Sequence, residues 1–173
     1  MKKALCVIFC FLFLFLSLSL SSCNNKSPGV TAIASGLSFS AQINDNGLCY
    51  TLYVEIDEKN NTENEIISDS SLKGMKIIFN ESDTVINYKE LEIAPEWLPQ
   101  NMHLDFIHSV FYDIKQKQQN PELKNGEYVI EGKTEKYDYR LLLGGSGLPI
   151  KIEDKSNSIS VVIKDAKIKK GAE

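Results

Sequence analysis

Residues 137–163 read YDYRLLLGGSGLPIKIEDKSNSISVVI. Tyr137, Tyr139, Leu141 and Leu143 alternate with Asp138, Arg140 and Leu142. Gly144-Gly145-Ser146-Gly147 turns the chain, and Leu148, Ile150 and Ile152 then alternate with Pro149, Lys151 and Glu153. Asp154-Lys155-Ser156-Asn157 turns it again, and Ile159, Val161 and Ile163 follow. A period of two with one apolar set marks a strand buried on one face. Links this short leave no room for a crossover, so successive strands pair as hairpins in an antiparallel meander.

The same signal recurs towards the N-terminus. Phe39, Ala41 and Ile43 alternate with Ser38, Ser40 and Gln42, and Asp45-Asn46-Gly47 is a turn signal. Tyr50, Leu52, Val54 and Ile56 then alternate with Cys49, Thr51, Tyr53 and Glu55. Residues 57–65 (DEKNNTENE) read as a polar hairpin tip, followed by a weaker strand over residues 65–70 and another over 74–80 with Met75, Ile77 and Phe79 on one face. Thr84 to Tyr88 and the run around Tyr128 and Ile130 add two more. Between these lies Lys89 to Gln100, where Pro95 and Pro99 bracket Glu96-Trp97-Leu98 and rule out a long regular element.

One stretch changes period. Met102, Leu104, Phe106, Ile107, Val110, Phe111 and Ile114 recur at three and four, with Asp105, Asp113, Lys115 and Gln116 in the gaps. This predicts an amphipathic helix over Met102–Gln119, ended by Asn120-Pro121. The expected class is therefore α+β, with about eight strands and one central helix. A helix is only about 10–12 Å wide and does not cover so broad an apolar face. The sheet is expected to curl into an antiparallel half-barrel with the helix packed on its concave face. By alternation the concave wall is Tyr50, Leu52, Val54, Ile77, Phe79, Tyr137, Tyr139 and Leu141, with Phe106 contributed by the helix. That surface is either filled by side chains or left as a cavity.

The start of the chain speaks to location. Lys2 and Lys3 precede an apolar run from Ala4 to Leu20, then Leu20-Ser21-Ser22-Cys23 and polar Asn24-Asn25-Lys26. A charged start, an apolar core and small residues before a cut make a secretory signal. Leu20-Ser21-Ser22-Cys23 resembles the lipobox of bacterial lipoproteins, which implies that Cys23 carries lipid and becomes the mature N-terminus. An uncleaved spanning helix is the alternative, since about 17–25 apolar residues suffice. The predicted organisation is a signal over residues 1–22, a lipidated N-terminus and tether over 23–36, and one domain over 37–168. The mature chain of 151 residues is long enough to bury a core unaided.

Charge and cysteine content narrow the partners. The net charge is −4, and loss of Lys2 and Lys3 takes it to near −6. That excess argues against a nucleic-acid partner and against electrostatic adhesion to anionic lipid, so the domain is expected to stand off the surface on its acyl anchor. Of the four cysteines, Cys6 and Cys10 lie in the signal and Cys23 takes the lipid. Cys49 is left without a partner, to be a buried small hydrophobe or a reactive thiol.

The order of features resembles a known family. It runs from the lipobox to a strand pair opening with Phe39-Ser40-Ala41, a strand with Tyr50 and Tyr53, and a Gly74-Met75 strand. A Pro95/Pro99 segment then leads into a helix, followed by Tyr128, Tyr137 and Tyr139 and a Gly147-Leu148-Pro149 turn. Over about residues 37 to 165 this is similar to the LolA/LolB superfamily of lipoprotein carriers and receptors, which includes LppX-like lipoproteins. The resemblance implies a half-barrel that accepts acyl chains, on a lipid-anchored protein at the extracytoplasmic face of a bacterial cell membrane. The partners it implies are the membrane and a lipid or acyl chain; another envelope protein is the alternative.

No catalytic pattern stands out. His103 and His108, five apart on the predicted helix, point roughly 140° apart and do not share a metal. Residues 144–147 lack the Lys-Ser/Thr ending of a phosphate loop, and Ser146 is not in a nucleophile elbow. The expectation is a non-enzymatic protein without a cofactor. Trp97, between two prolines, is read as a lid or partner anchor or as a core plug.

Overall fold

The computed structural model describes residues 36–59, 61–67, 71–80, 83–95, 102–156 and 158–169. The expected signal, Cys23, the expected tether up to residue 35 and Trp97 lie outside them. The chain forms β1 (Leu37–Asp45), β2 (Leu48–Ile56), β3 (Thr62–Ile66), β4 (Lys76–Phe79), β5 (Thr84–Tyr88) and β6 (Leu91–Ile93). The one helix among the described residues, α1 (Phe106–Gln116), comes next, then β7 (Glu122–Lys124), β8 (Glu127–Lys133), β9 (Asp138–Leu143), β10 (Pro149–Asp154) and β11 (Ile159–Ile168).

All strands join one antiparallel sheet in the order β6-β5-β4-β3-β2-β1-β11-β10-β9-β8-β7. The first and last strands pair at its centre, Ile43 opposite Val161 and Leu37 opposite Ile168. Everything else meanders outward from that pair. β6 and β7, consecutive in sequence, therefore end on opposite edges. The connection between them carries α1 across the concave face.

The sheet is curled and unclosed, as expected, but it has eleven strands rather than about eight. With one eleven-residue helix among them, the described residues are mostly β. Two added strands, β6 and β7, are three-residue edge pieces too short to show a period. β3 starts at Thr62, inside the stretch read as a hairpin tip, because Thr62 and Asn64 point inward although they are polar. Along β10 the register shifts between Pro149 and Lys151, so Pro149 is buried and Ile150 is 45% exposed, reversing the predicted alternation there. Cys49 is exposed, not buried, because it alternates with buried Tyr50.

The helix is shorter than Met102–Gln119 for a reason visible in its hydrogen bonds. Before it, the backbone binds the sheet: His103 N–H donates to Asp45 Oδ2 at 2.8 Å, and Leu104 C=O accepts from Asn64 Nδ2 at 3.0 Å. At its end Gln118 turns left-handed (φ 48°). Gln119 N–H reaches Ile114 C=O at 3.1 Å and Gln118 N–H reaches Lys115 C=O at 3.2 Å, a Schellman closure.

The predicted helix face does meet the sheet. Phe106, Ile107, Val110, Phe111 and Ile114 are buried, with Phe111 6.0 Å from Phe39 and Phe106 edge-on to Tyr137 at 4.9 Å between ring centroids. Phe106→Asp places an unpaired charge in that seam. The expected loss is several kcal/mol, comparable to a typical total stability of about 5–15 kcal/mol. Thermal denaturation followed by circular dichroism checks this, and a melting temperature within a few degrees of wild type would refute the assigned face.

Candidate functional site

The seam between α1 and the sheet brings together the expected wall. Tyr50, Leu52 and Val54 come from β2, Ile77 and Phe79 from β4, Tyr139 and Leu141 from β9, and Tyr137 from the turn before it. With Phe106 they belong to one core cluster, and none is more than 6% exposed.

A residue without accessible area has no room beside it for a sphere the size of water. Leu52, Val54, Ile77, Tyr139 and Leu141 are at 0%, so among the described residues this part of the wall is in contact on all sides. Val110 and Phe111 of α1, also at 0%, lie in the same cluster.

Sequence reasoning missed a set of polar groups that tie the helix to the sheet. At its N-terminal approach, Asp45, 1% exposed, accepts from the His103 backbone and lies 2.9 and 3.0 Å from the His103 ring Nδ1. A carboxylate only accepts, so the His103 proton sits on Nδ1. Asp105 accepts from Tyr137 Oη at 2.5 Å and Lys136 Nζ at 2.7 Å. Burial pushes the Asp105 carboxyl up, but Lys136 and Tyr137 outweigh it and hold it below the usual carboxylate range. Halfway along, His108 Nδ1 lies 3.0 Å from Thr62 Oγ1, and its ring stacks on Phe79 at 5.4 Å. Burial lowers the His108 pKa, which keeps the ring neutral.

At the far end, Tyr139 Oη donates to Asp113 Oδ2 at 2.7 Å and lies 3.0 Å from Gln119 Oε1. Tyr139 passes directly over β8, where Gly132 is its cross-strand partner. A Cβ at Gly132 would stand 2.3 Å from that hydroxyl, so glycine makes the passage possible. Burial and the nearby carboxylates push Tyr50, Tyr137 and Tyr139 well above the ordinary tyrosine pKa, and all three stay neutral. Tyr50 Oη and Asn64 Oδ1 are buried without a hydrogen-bond partner among the described residues.

Among the described residues, clefts open elsewhere. One of about 340 Å³ runs along the outer side of α1, between His108, Ser109 and Tyr112 and the turn at Thr134–Lys136. Another of about 410 Å³ lies by Gln119, Lys124 and Glu131. Neither is lined by the predicted wall. Among the described residues no group of three or more His, Cys, Asp or Glu is placed to hold a metal ion. Among them, too, no helix is long and apolar enough to cross a membrane.

The missed groups had a sequence signal. Asp45 continues the inward alternation of Phe39, Ala41 and Ile43, and Thr62 and Asn64 alternate in phase with Ile66. Reading only apolar residues as inward hid them. Asp105 and Asp113 had no such signal, because their tyrosine partners are 32 and 26 residues away.

His108 makes stability pH-dependent with a definite sign. Its folded pKa lies below the unfolded value of about 6.5. As pH falls through that value the unfolded chain takes a proton that the folded protein refuses, so stability falls. The depressed Asp105 acts only below about pH 4, where its stabilisation is lost. Denaturant midpoints should therefore drop between about pH 7 and 5, and His108→Gln should reduce that drop. An equal drop in the variant would contradict the assignment.

No family model and no curated protein matches the sequence. The structure is similar to that of an uncharacterised conserved protein from Thermus thermophilus, at 10% identity over 82% of this chain and 83% of that one, with a TM-score of 0.48. It is similar to a LolA superfamily protein from Nitrosomonas europaea, at 12% identity over 83% and 93% of the two chains, TM-score 0.42. It is also similar to a putative outer membrane lipoprotein-sorting protein domain from Vibrio parahaemolyticus, at 11% identity over 84% and 94%, TM-score 0.36. These are likenesses of fold.

Proposed function

We propose that this chain is a lipid-anchored lipoprotein on the extracytoplasmic face of a bacterial cell membrane. There it acts without catalysis as an interaction module on another envelope protein, with a LolA-like half-barrel whose concave face is filled. Anchoring rests on Cys23 and the apolar run before it. The observation that carries the filled reading is the closure of the wall, 0% exposed at Leu52, Val54, Ile77, Tyr139 and Leu141. Interiors packed to about 0.74 density have few voids larger than water and leave no lodging for an acyl chain.

A second reading has its own support. The described cover of the apolar face is one helix of eleven residues, and its approach is tied down by side-chain hydrogen bonds from Asp45, Asn64 and Tyr137. Exchanging those bonds for water would lift α1 and uncover Tyr50, Leu52, Val54, Ile77, Phe79, Phe106, Tyr137, Tyr139 and Leu141. That face would then take a lipid or acyl chain.

Val54→Phe separates the two. In a filled core the larger ring costs about 1–3 kcal/mol, and the delipidated wild type takes up no fluorescent fatty acid. That is the expected result. Probe uptake by the wild type, weakened by Val54→Phe at nearly unchanged stability, would replace the interaction reading with the ligand reading.

A further inference from the structure

The overall negative charge hides an uneven distribution. β11 carries Lys164 and Lys167, both exposed, with exposed Asp165 between them, and Lys169 lies just beyond its end. Neither Lys164 nor Lys167 has an ion-pair partner among the described residues. Lys169 is paired with Glu55 on β2. Ile168, between two of these lysines, is 49% exposed.

Their place in the sheet is what matters. β10 pairs with β11 only as far as Val162, so the segment from Ile163 onward projects past it with an open edge. On its other side it lies against the start of β1, where Ser38 and Ser40 bring no charge. The left-handed Asp165 (φ 55°) forms a bulge between Lys164 and Lys167, twisting this edge away from strand pairing with another chain.

The chain enters the sheet at the same corner. Lys169 N–H donates to Gly36 C=O at 3.1 Å, and Leu37 is the cross-strand partner of Ile168. Gly36 is left-handed (φ 84°), and a Cβ there would stand 3.1 Å from Ile56 C=O. The tether thus has a fixed exit beside the lysines. Gly36 is the thirteenth residue after Cys23, a length that as a flexible chain would reach roughly 20 Å. The corner bearing Lys164, Lys167 and Ile168 is therefore the part of the domain that the anchor holds nearest the bilayer.

We propose that this corner is a membrane-docking surface for anionic phospholipid headgroups, with Lys164 and Lys167 on phosphates and Ile168 inserted among them. The proposal rests on the lipid-anchor reading above. It amends the expectation from net charge that the domain stands off the membrane. Electrostatics decays within a Debye length of about 8 Å at physiological salt, so Lys164 and Lys167 act at the corner against Asp165 between them and Asp57 beside Gly36, Lys169 being paired with Glu55, while the more distant acidic residues do not. Each lysine near such a surface is worth about fivefold, or roughly 30-fold for the two, in the ratio of docked to free domain.

The test uses the full lipidated protein with Cys49→Ser and Ile168→Cys, carrying an environment-sensitive dye at position 168. It is reconstituted into vesicles of phosphatidylcholine alone or mixed with phosphatidylglycerol. Flotation should recover it with both. The dye emission should shift to the blue only with phosphatidylglycerol, and the shift should vanish in high salt. Lys164→Gln with Lys167→Gln should cut the docked-to-free ratio about 30-fold without changing the melting temperature. Equal emission in both vesicles, or a shift that survives loss of the lysines, overturns docking while leaving the anchor intact. Failure to float with either vesicle overturns the anchor, and docking with it.

Discussion

The architecture depends on the pairing of the first strand with the last. β1 and β11 lie side by side at the middle of an eleven-stranded sheet. Once they pair, the two halves of the chain can only meander outward, and the ends of those halves, β6 and β7, finish at opposite edges. The link between them must recross the sheet on one face. That face is the apolar one, because the link carries an amphipathic helix. The pairing is of high sequence separation, so it is costly to form in chain entropy. Phe39, Ala41 and Ile43 from β1 and Ile159, Val161 and Ile163 from β11 supply the buried surface that offsets it.

Apolar packing alone would let α1 slide. The polar groups beneath it remove that freedom. Asp45, Asn64, Asp105, His108 and Asp113 each have a partner on the opposite layer. A shift by one turn would leave several buried donors and acceptors unmet, at about 1–3 kcal/mol apiece. Gly132 fits the same logic, since it clears the path by which Tyr139 reaches Asp113. The helix is held in one register by hydrogen bonds and held down by its apolar stripe.

Much of this was legible in the sequence, and the exceptions have physical causes. Alternation found the long strands and the residues of the concave wall, and the change to a helical period found the stripe from Phe106 to Ile114. It failed where the period is interrupted: at the three-residue edges β6 and β7, at the bulge beside Ile150, and at Thr62 and Asn64, where polar side chains take inward places. It overextended the helix because competition for the backbone of His103 and Leu104 comes from Asp45 and Asn64, distant in sequence. Net charge averages over position, so it carries no sign that Lys164 and Lys167 lie where β11 ends beside the start of β1.

The central claim is that α1 closes the half-barrel as a permanent part of the core. Backbone amide hydrogen exchange on the ligand-free protein tests it directly. The account predicts that the amides of Val110, Phe111 and Ile114 exchange as slowly as those of Ala41 in β1 and Val161 in β11, through global unfolding. Exchange of the helix orders of magnitude faster than the central strands would mean that α1 opens on its own, and would contradict a core that is closed and filled.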